Sequence, residues 1–154
     1  MQAPTILLAE DDPNDAFFIR RAFERTYPGL RVSVVSNGHE ALKYLDGQLP
    51  YTDRLVFPVP NLVLLDLFLP VMTGFQVLRW LRERLDFKGL PVIVLTSSSR
   101  DADSKLAYEL GADSYLVKPC ALDQLTHTMA QVAGRWLGRS RWFKAGAEDQ
   151  REAA

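Results

Sequence analysis

Five short apolar runs alternate along the chain with longer segments whose apolar residues recur every three or four positions. The first run is Thr5-Ile6-Leu7-Leu8-Ala9, stopped by three acids and Pro13. Arg31–Ser36 alternates Val32 and Val34 against Arg31 and Ser33, while Leu62-Val63-Leu64-Leu65 and Pro91–Leu95 are continuous apolar stretches. Such stretches belong to strands buried on both faces of a parallel sheet. Ser114–Val117 is the fifth run. Between them, Asn14–Arg25 places Ala16, Ile19 and Phe23 on one helical face, after an Asp12 cap and Pro13 at the first helical position. Asn37-Gly38 turns into a helix over His39–Leu45, and Phe75–Leu85 predicts another with Val77, Leu78, Leu81 and Leu85 inward. Asp101–Leu110 is a helix closed by Gly111, and Ala121–Leu137 repeats Leu122, Leu125, Met129, Val132 and Trp136 at helical spacing. Asp46–Pro60 carries Pro50, Pro58 and Pro60 and reads as a long loop. Five successive strand–helix units predict a three-layer α/β/α domain, with a five-stranded parallel sheet and right-handed crossovers.

Composition narrows the class. A chain of 154 residues suits one domain, and 47% hydrophobic against 24% charged residues excludes a largely disordered or collagen-like chain. Lys and Arg number 18 against 19 acids, so no bulk positive charge recommends nucleic acid or anionic lipid as a partner. Cys120, the single cysteine, has no internal disulfide partner, which suits a reducing compartment. The N-terminus lacks a basic signal-peptide region, and no apolar run reaches the roughly 18 residues of a membrane span. A soluble cytoplasmic protein is expected. Residues 4–137 form the predicted domain and 138–154 an extension, its last residues frayed. Arg135, Arg139, Arg141 and Lys144 interleave there with Trp136, Trp142 and Phe143. That mixture fits either an amphipathic helix end or a protein contact.

In open parallel sheets, ligands gather beyond the carboxyl ends of the strands. The first strand ends in Glu10-Asp11, the third in Asp66, the fourth in Thr96-Ser97 and the fifth in Lys118-Pro119. Crowded carboxylates need a compensating cation, and Mg²⁺ binds through hard oxygen ligands of this kind. A lysine and a hydroxyl beside them suit phosphoryl oxygens, so the inventory is that of phosphoryl transfer by positioning and electrostatics. No glycine-rich nucleotide loop is present, and Phe68 stands where a haloacid-dehalogenase-type phosphatase would place its second aspartate. Plainer readings stand beside these. Asp66 could cap a loop, Glu10 and Asp11 could serve a helix dipole, and Thr96 could simply end a strand. Tyr115 could be a half-buried strand tyrosine, Asp12 reads as a cap, His39 and His127 as solvated helix residues, and Cys120 as a small packing residue.

Taken in order, Glu10-Asp11, Leu65-Asp66 with Pro70 and Gly74, Thr96-Ser97 and Tyr115-x-x-Lys118-Pro119 resemble the receiver domain of two-component response regulators over residues 4–137. The resemblance implies the CheY-like, flavodoxin-like strand order 2-1-3-4-5. It implies Asp66 as phosphoacceptor, Lys118 and Thr96 as its catalytic partners, and Thr96 with Tyr115 as a switch. Glu10, Asp11, Asp66 and the backbone carbonyl of Phe68 would hold Mg²⁺, and the Lys118–Pro119 bond would be cis. More narrowly, Glu10-Asp11-Asp12-Pro13 and the proline-bearing stretch before the third strand resemble the small single-domain regulators of bacterial phytochrome kinases. A sensor histidine kinase would then be the phosphodonor, and the signal would leave by protein contact. The expected homodimer would use the fourth helix, fifth strand and fifth helix together with the extension. Phe68 would shield the acyl phosphate from water. No turnover enzyme is expected. The alternatives are a small Mg²⁺-dependent phosphatase, a flavin-binding protein of similar fold, and a receiver-like protein that acts without phosphorylation.

Overall fold

The computed structural model describes residues 3–137; the extension over 138–154, with Arg139, Arg141, Trp142, Phe143 and Lys144, lies outside them. The strands are β1 (Thr5–Ala9), β2 (Arg31–Val35), β3 (Leu62–Leu65), β4 (Val92–Thr96) and β5 (Ser114–Val117). The helices are α1 (Pro13–Thr26), α2 (Gly38–Asp46), α3 (Gly74–Glu83), α4 (Asp101–Glu109) and α5 (Leu122–Trp136). All strand pairs are parallel, in the order β2-β1-β3-β4-β5. The reversal of order falls between β1 and β3, whose carboxyl ends carry Glu10, Asp11 and Asp66.

The continuous apolar runs occupy the middle of the sheet because both of its faces are covered. Leu7, Val63, Leu65, Val92 and Val94 pack on α2 and α3, while Ile6, Leu8, Leu62, Leu64, Ile93 and Leu95 pack on α1 and α5. Each of these leucines, once removed from water, contributes about 2 kcal/mol to the core. β2 is an edge strand, and the alternation of Val32 and Val34 does not mark a buried face there: Val32 is half-buried, Val34 exposed and Val35 buried.

Local chemistry sets the helix ends. Asp12 accepts from the backbone amides of Asn14 and Asp15, and Asn37 accepts from Glu40. Thr73 and Gln76 form a reciprocal capping box at α3. Three expectations are corrected. Leu85 is 80% exposed, because α3 stops at Glu83, Arg84 extends, and a 3₁₀ turn at Leu85–Phe87 buries Phe87 in its place. Leu122 and Cys120 are also exposed, since α5 begins above the core and its apolar stripe takes hold only at Leu125. The cis peptide bond is Leu49–Pro50; Lys118–Pro119 is trans. Both are X–Pro bonds, for which either isomer is accessible.

The predicted loop between α2 and β3 is built around an aromatic cluster. Tyr44, Tyr51 and Phe57 stack with centroids 5.1–6.0 Å apart. The Arg54 guanidinium donates to the carbonyls of Tyr44, Leu45 and Phe57. Of these, Leu45 O is one of the last carbonyls of α2, which a helix leaves open, while Tyr44 O also accepts from the Gly47 amide.

Candidate functional site

Each carboxylate of the site is delivered by a strand end. Asp66 directly follows β3 and is buried. Its Oδ1 accepts from the Phe68 amide at 3.1 Å and its Oδ2 from Lys118 Nζ at 2.9 Å. Glu10 continues β1, its amide donating to Val35 O at 3.0 Å. Its Oε1 accepts from the Asp12 amide at 3.1 Å, and its Oε2 lies 2.6 Å from Lys118 Nζ. Asp11, the next residue, is exposed. Glu10, Asp11 and Asp66 each place one carboxylate oxygen within 4.8 Å of the others. Lys118 is fixed from the far side of the sheet, where its amide donates to Thr96 O at 2.7 Å and extends the β4–β5 ladder.

The electrostatics follow from burial. Burial pushes the Glu10 carboxyl up to about 7, although its hydrogen bond from Lys118 pulls the other way. Burial alone would lower the Lys118 ammonium, but hydrogen bonds to Glu10, Asp66 and Asp15 outweigh it and hold the group above the ordinary lysine range. Among the described residues, Lys118 pairs with Glu10, Asp15 and Asp66, and Asp11 lies beside two of them, so negative charge exceeds positive in the pocket. Three hard oxygen donors with a charge deficit are a fitting donor set for a small divalent cation.

The connection from β3 to α3 is shaped by close approach. A Cβ at Gly74 would overlap the Asp66 carbonyl, so only glycine lets α3 start against the site. Val71 in the same loop has φ 69°, a strained conformation for a β-branched residue. Thr96 is fully buried at the end of β4. Tyr115 is half-buried, and its hydroxyl donates to Ser98 O at 2.9 Å. Phe68 keeps its ring 51% exposed beside Asp66. Asp12 caps α1, and both His39 and His127 are exposed.

Sequence reading missed two groups. Asp15, in the first turn of α1, reaches Lys118 Nζ at 3.0 Å. Ser98 joins the neighbourhood of Thr96 and Tyr115 to α4, because its Oγ donates to Asp103 Oδ2 at 2.6 Å. Asp15 carried one signal: it is an acid three residues past the Asp12 cap, on the turn that faces the strand ends.

Residues 6–130 match the family model described as the response regulator receiver domain. The probable methanogenesis regulatory protein FilR2 of Methanothrix harundinacea is 38% identical over 136 residues, covering 88% of this chain and 85% of that protein. Response regulator Rcp1 of Synechocystis is 33% identical, covering 86% of this chain and 88% of Rcp1. The crystal structure of Mn²⁺-bound Rcp1 has a TM-score of 0.79 at 32% identity, covering 88% of this chain and 96% of the other. That of the phosphorylated cyanobacterial phytochrome response regulator RcpA gives 0.82 at 30% identity, covering 90% and 96%. Among the described residues, no helix is long and apolar enough to cross a membrane.

Proposed function

This chain belongs to the response regulator receiver family, and we propose that within it Asp66 is the phosphoacceptor, charged by a phosphohistidine on a sensor kinase. The observation that carries the assignment is the convergence of Glu10, Asp11 and Asp66 within 4.8 Å, with Lys118 Nζ on Asp66 Oδ2. In the reaction a carboxylate oxygen of Asp66 bonds to phosphorus, the P–N bond breaks, and the imidazole leaves with the electron pair. Asp66 is suited to attack because the Phe68 amide and Lys118 fix both of its oxygens. Lys118, already on the acceptor, meets negative charge developing on the transferred group. Mg²⁺ held by the Glu10, Asp11 and Asp66 carboxylates and the Phe68 carbonyl would neutralise the remaining phosphoryl charge. Each chain takes one phosphoryl group, and no small substrate is turned over.

Thr96 and Tyr115 form the switch. Thr96 turns toward the new phosphate, and Tyr115, bonded to Ser98 O, packs against the loop that follows Thr96. The altered surface of α4, β5 and α5 presents Leu106, Tyr108 and Val117, and we assign to it a homodimer contact. Sedimentation with and without beryllofluoride tests that assignment; the same monomer mass in both states overturns it. The likeness to Rcp1 and RcpA supports a phytochrome-type photoreceptor kinase as donor. Phe68 shields the acyl phosphate, so Phe68→Asn shortens its lifetime; equal lifetimes remove that role.

The central experiment is intact-mass spectrometry after acetyl phosphate with Mg²⁺, followed by peptide mapping. One phosphate on Asp66 is expected, and none in Asp66→Asn. Phosphate on another residue, or retained in Asp66→Asn, overturns the assignment.

A further inference from the structure

A lysine ammonium has three protons to donate, and at Lys118 three carboxylates take one each. The distances are 2.6 Å to Glu10 Oε2, 2.9 Å to Asp66 Oδ2 and 3.0 Å to Asp15 Oδ2. These acceptors differ in what else they do. Glu10 and Asp66 belong to the cluster of oxygens that could share a cation; Asp15 does not. Among the described residues, the carboxylate of Asp15 makes one hydrogen bond, and it is to Lys118. Whatever Asp15 contributes to the site must pass through that lysine or through the field of its charge.

Its backbone is held in place independently of the lysine. Pro13 opens α1, and Asp12 Oδ1 accepts from the amides of Asn14 at 2.8 Å and Asp15 at 3.3 Å. The short aspartate side chain then rises from a fixed turn. With Ile19, Pro119 and Leu125 it walls a cleft of about 30 Å³ along the lysine stem. A lysine is a flexible four-carbon arm, and this wall with its terminal acceptor removes most of the arm's freedom.

We propose that Asp15 is a positioning residue for Lys118: its carboxylate takes the third ammonium proton and keeps the lysine's charge aimed at the phosphoacceptor. The inference rests on Asp66 being that acceptor. A divalent ion held by Glu10 and Asp66, and the acyl phosphate formed on Asp66, would alter two of the three acceptors. Asp15 is the one left as it was, so it sets where the ammonium points during transfer.

A competing effect has the opposite sign. A carboxylate near the pocket repels anionic phosphodonors, so by field alone its removal would speed phosphorylation. Loss of positioning slows it. At 43% side-chain exposure the field of Asp15 is screened by water, whereas its bond to Lys118 is direct, so slowing should win.

The test is the rate of phosphorylation by acetyl phosphate with Mg²⁺, followed on the wild type, Asp15→Asn, Asp15→Ala and Asp15→Glu, and repeated on Lys118→Met. Asp15→Asn and Asp15→Ala should slow the wild type about tenfold, the weight of one charge-assisted hydrogen bond. Asp15→Glu should restore most of the rate. On Lys118→Met the slowing by the Asp15 substitutions should be absent, leaving at most a small acceleration from the lost charge. In Mg²⁺-loaded protein, ¹⁵N-edited spectra should show slowly exchanging Lys118 ammonium protons in wild type and Asp15→Glu, and their loss in Asp15→Ala. Faster phosphorylation in Asp15→Asn, an equal effect with and without Lys118, or an ammonium signal that persists in Asp15→Ala overturns the role. A wild type that takes no phosphate on Asp66 overturns the parent assignment together with it, and mapping that site first separates the two failures.

Discussion

Two cationic side chains secure opposite ends of the same sheet under different charge balances. At the amino ends of β4 and β5, Arg82 donates to the carbonyls of Gly111, Phe87, Lys88 and Leu90 and to Asp113 Oδ2. Asp113 Oδ2 also accepts from the Val92 amide at 2.8 Å. One cation meets one anion there, and main-chain oxygens take the hydrogens on Nε and Nη1. At the carboxyl ends, Lys118 is shared among Glu10, Asp15 and Asp66, with Asp11 close by. The same kind of charge-assisted hydrogen bond completes the structure at one end and leaves a surplus of anions at the other. A balanced site stabilises the fold whatever is in solution; a surplus does so only when a cation arrives.

The contrast breaks most easily at the balanced end. Arg82→Met removes a charge-assisted partner from the Asp113 carboxylate and from four carbonyls, and should lower unfolding stability by roughly 3 kcal/mol, read as a shift in the urea midpoint. The folded variant should still take phosphate on Asp66 at the wild-type rate. An unmoved midpoint would mean that this end is no anchor.

The next effect belongs to the other end. Mg²⁺ at about 100 times its Kd should stabilise the wild type by ~2.7 kcal/mol, seen as a rise in Tm over protein in chelator. Arg82→Met should show the same rise from its lower starting point, and Asp11→Asn should show far less. A third comparison uses one substitution at both ends. In chelator, Asp113→Asn should cost about 1 kcal/mol, because a paired charge is lost. Asp11→Asn should raise stability by about 0.5 kcal/mol, because it relieves repulsion with Glu10 and Asp66. Equal signs at the two ends would remove the distinction between balance and surplus.

The sheet and most of the surplus end are legible in the sequence, and the balanced end is not. Strand-end acids announce themselves because topology brings every carboxyl end to one edge, so Glu10, Asp11, Asp66, Thr96 and Lys118 could be gathered without coordinates. Arg82 could not, since four of its partners are carbonyls, which carry no side-chain signature. Asp15 was hidden because its role depends on the rotation of α1 against β5, which periodicity gives only coarsely. Leu85 and Leu122 were misplaced for a related reason. Helical spacing shows which residues share a face but not where the helix stops, and at α3 the stop comes at Glu83, ahead of Leu85.

The smallest expected effect sharpens the same distinction in a third place. Tyr51 donates to Glu40 Oε2 at 2.6 Å, and Lys43 lies 3.3 Å from Glu40 Oε1, so this is another balanced cluster. Burial, with the hydrogen bond to Glu40 behind it, pushes the Tyr51 phenol from 10 up to about 12. The same hydrogen bond draws the Glu40 carboxyl below the ordinary glutamate range. A phenol raised in the folded state contributes stability in full below pH 10, and that contribution is lost as pH climbs toward about 12. Glu40 contributes above its unfolded value of 4.5 and loses the contribution as pH falls below it. Between those limits the Tyr51–Glu40 bond should persist and should be insensitive to Mg²⁺, unlike the strand-end pocket. Ultraviolet phenolate absorbance of the wild type minus Tyr51→Phe should therefore step near pH 12, and Glu40→Gln should move that step toward 10 without reaching it, because burial remains. A step that shifts on adding Mg²⁺ would tie this cluster to the pocket and end the claim that it is closed.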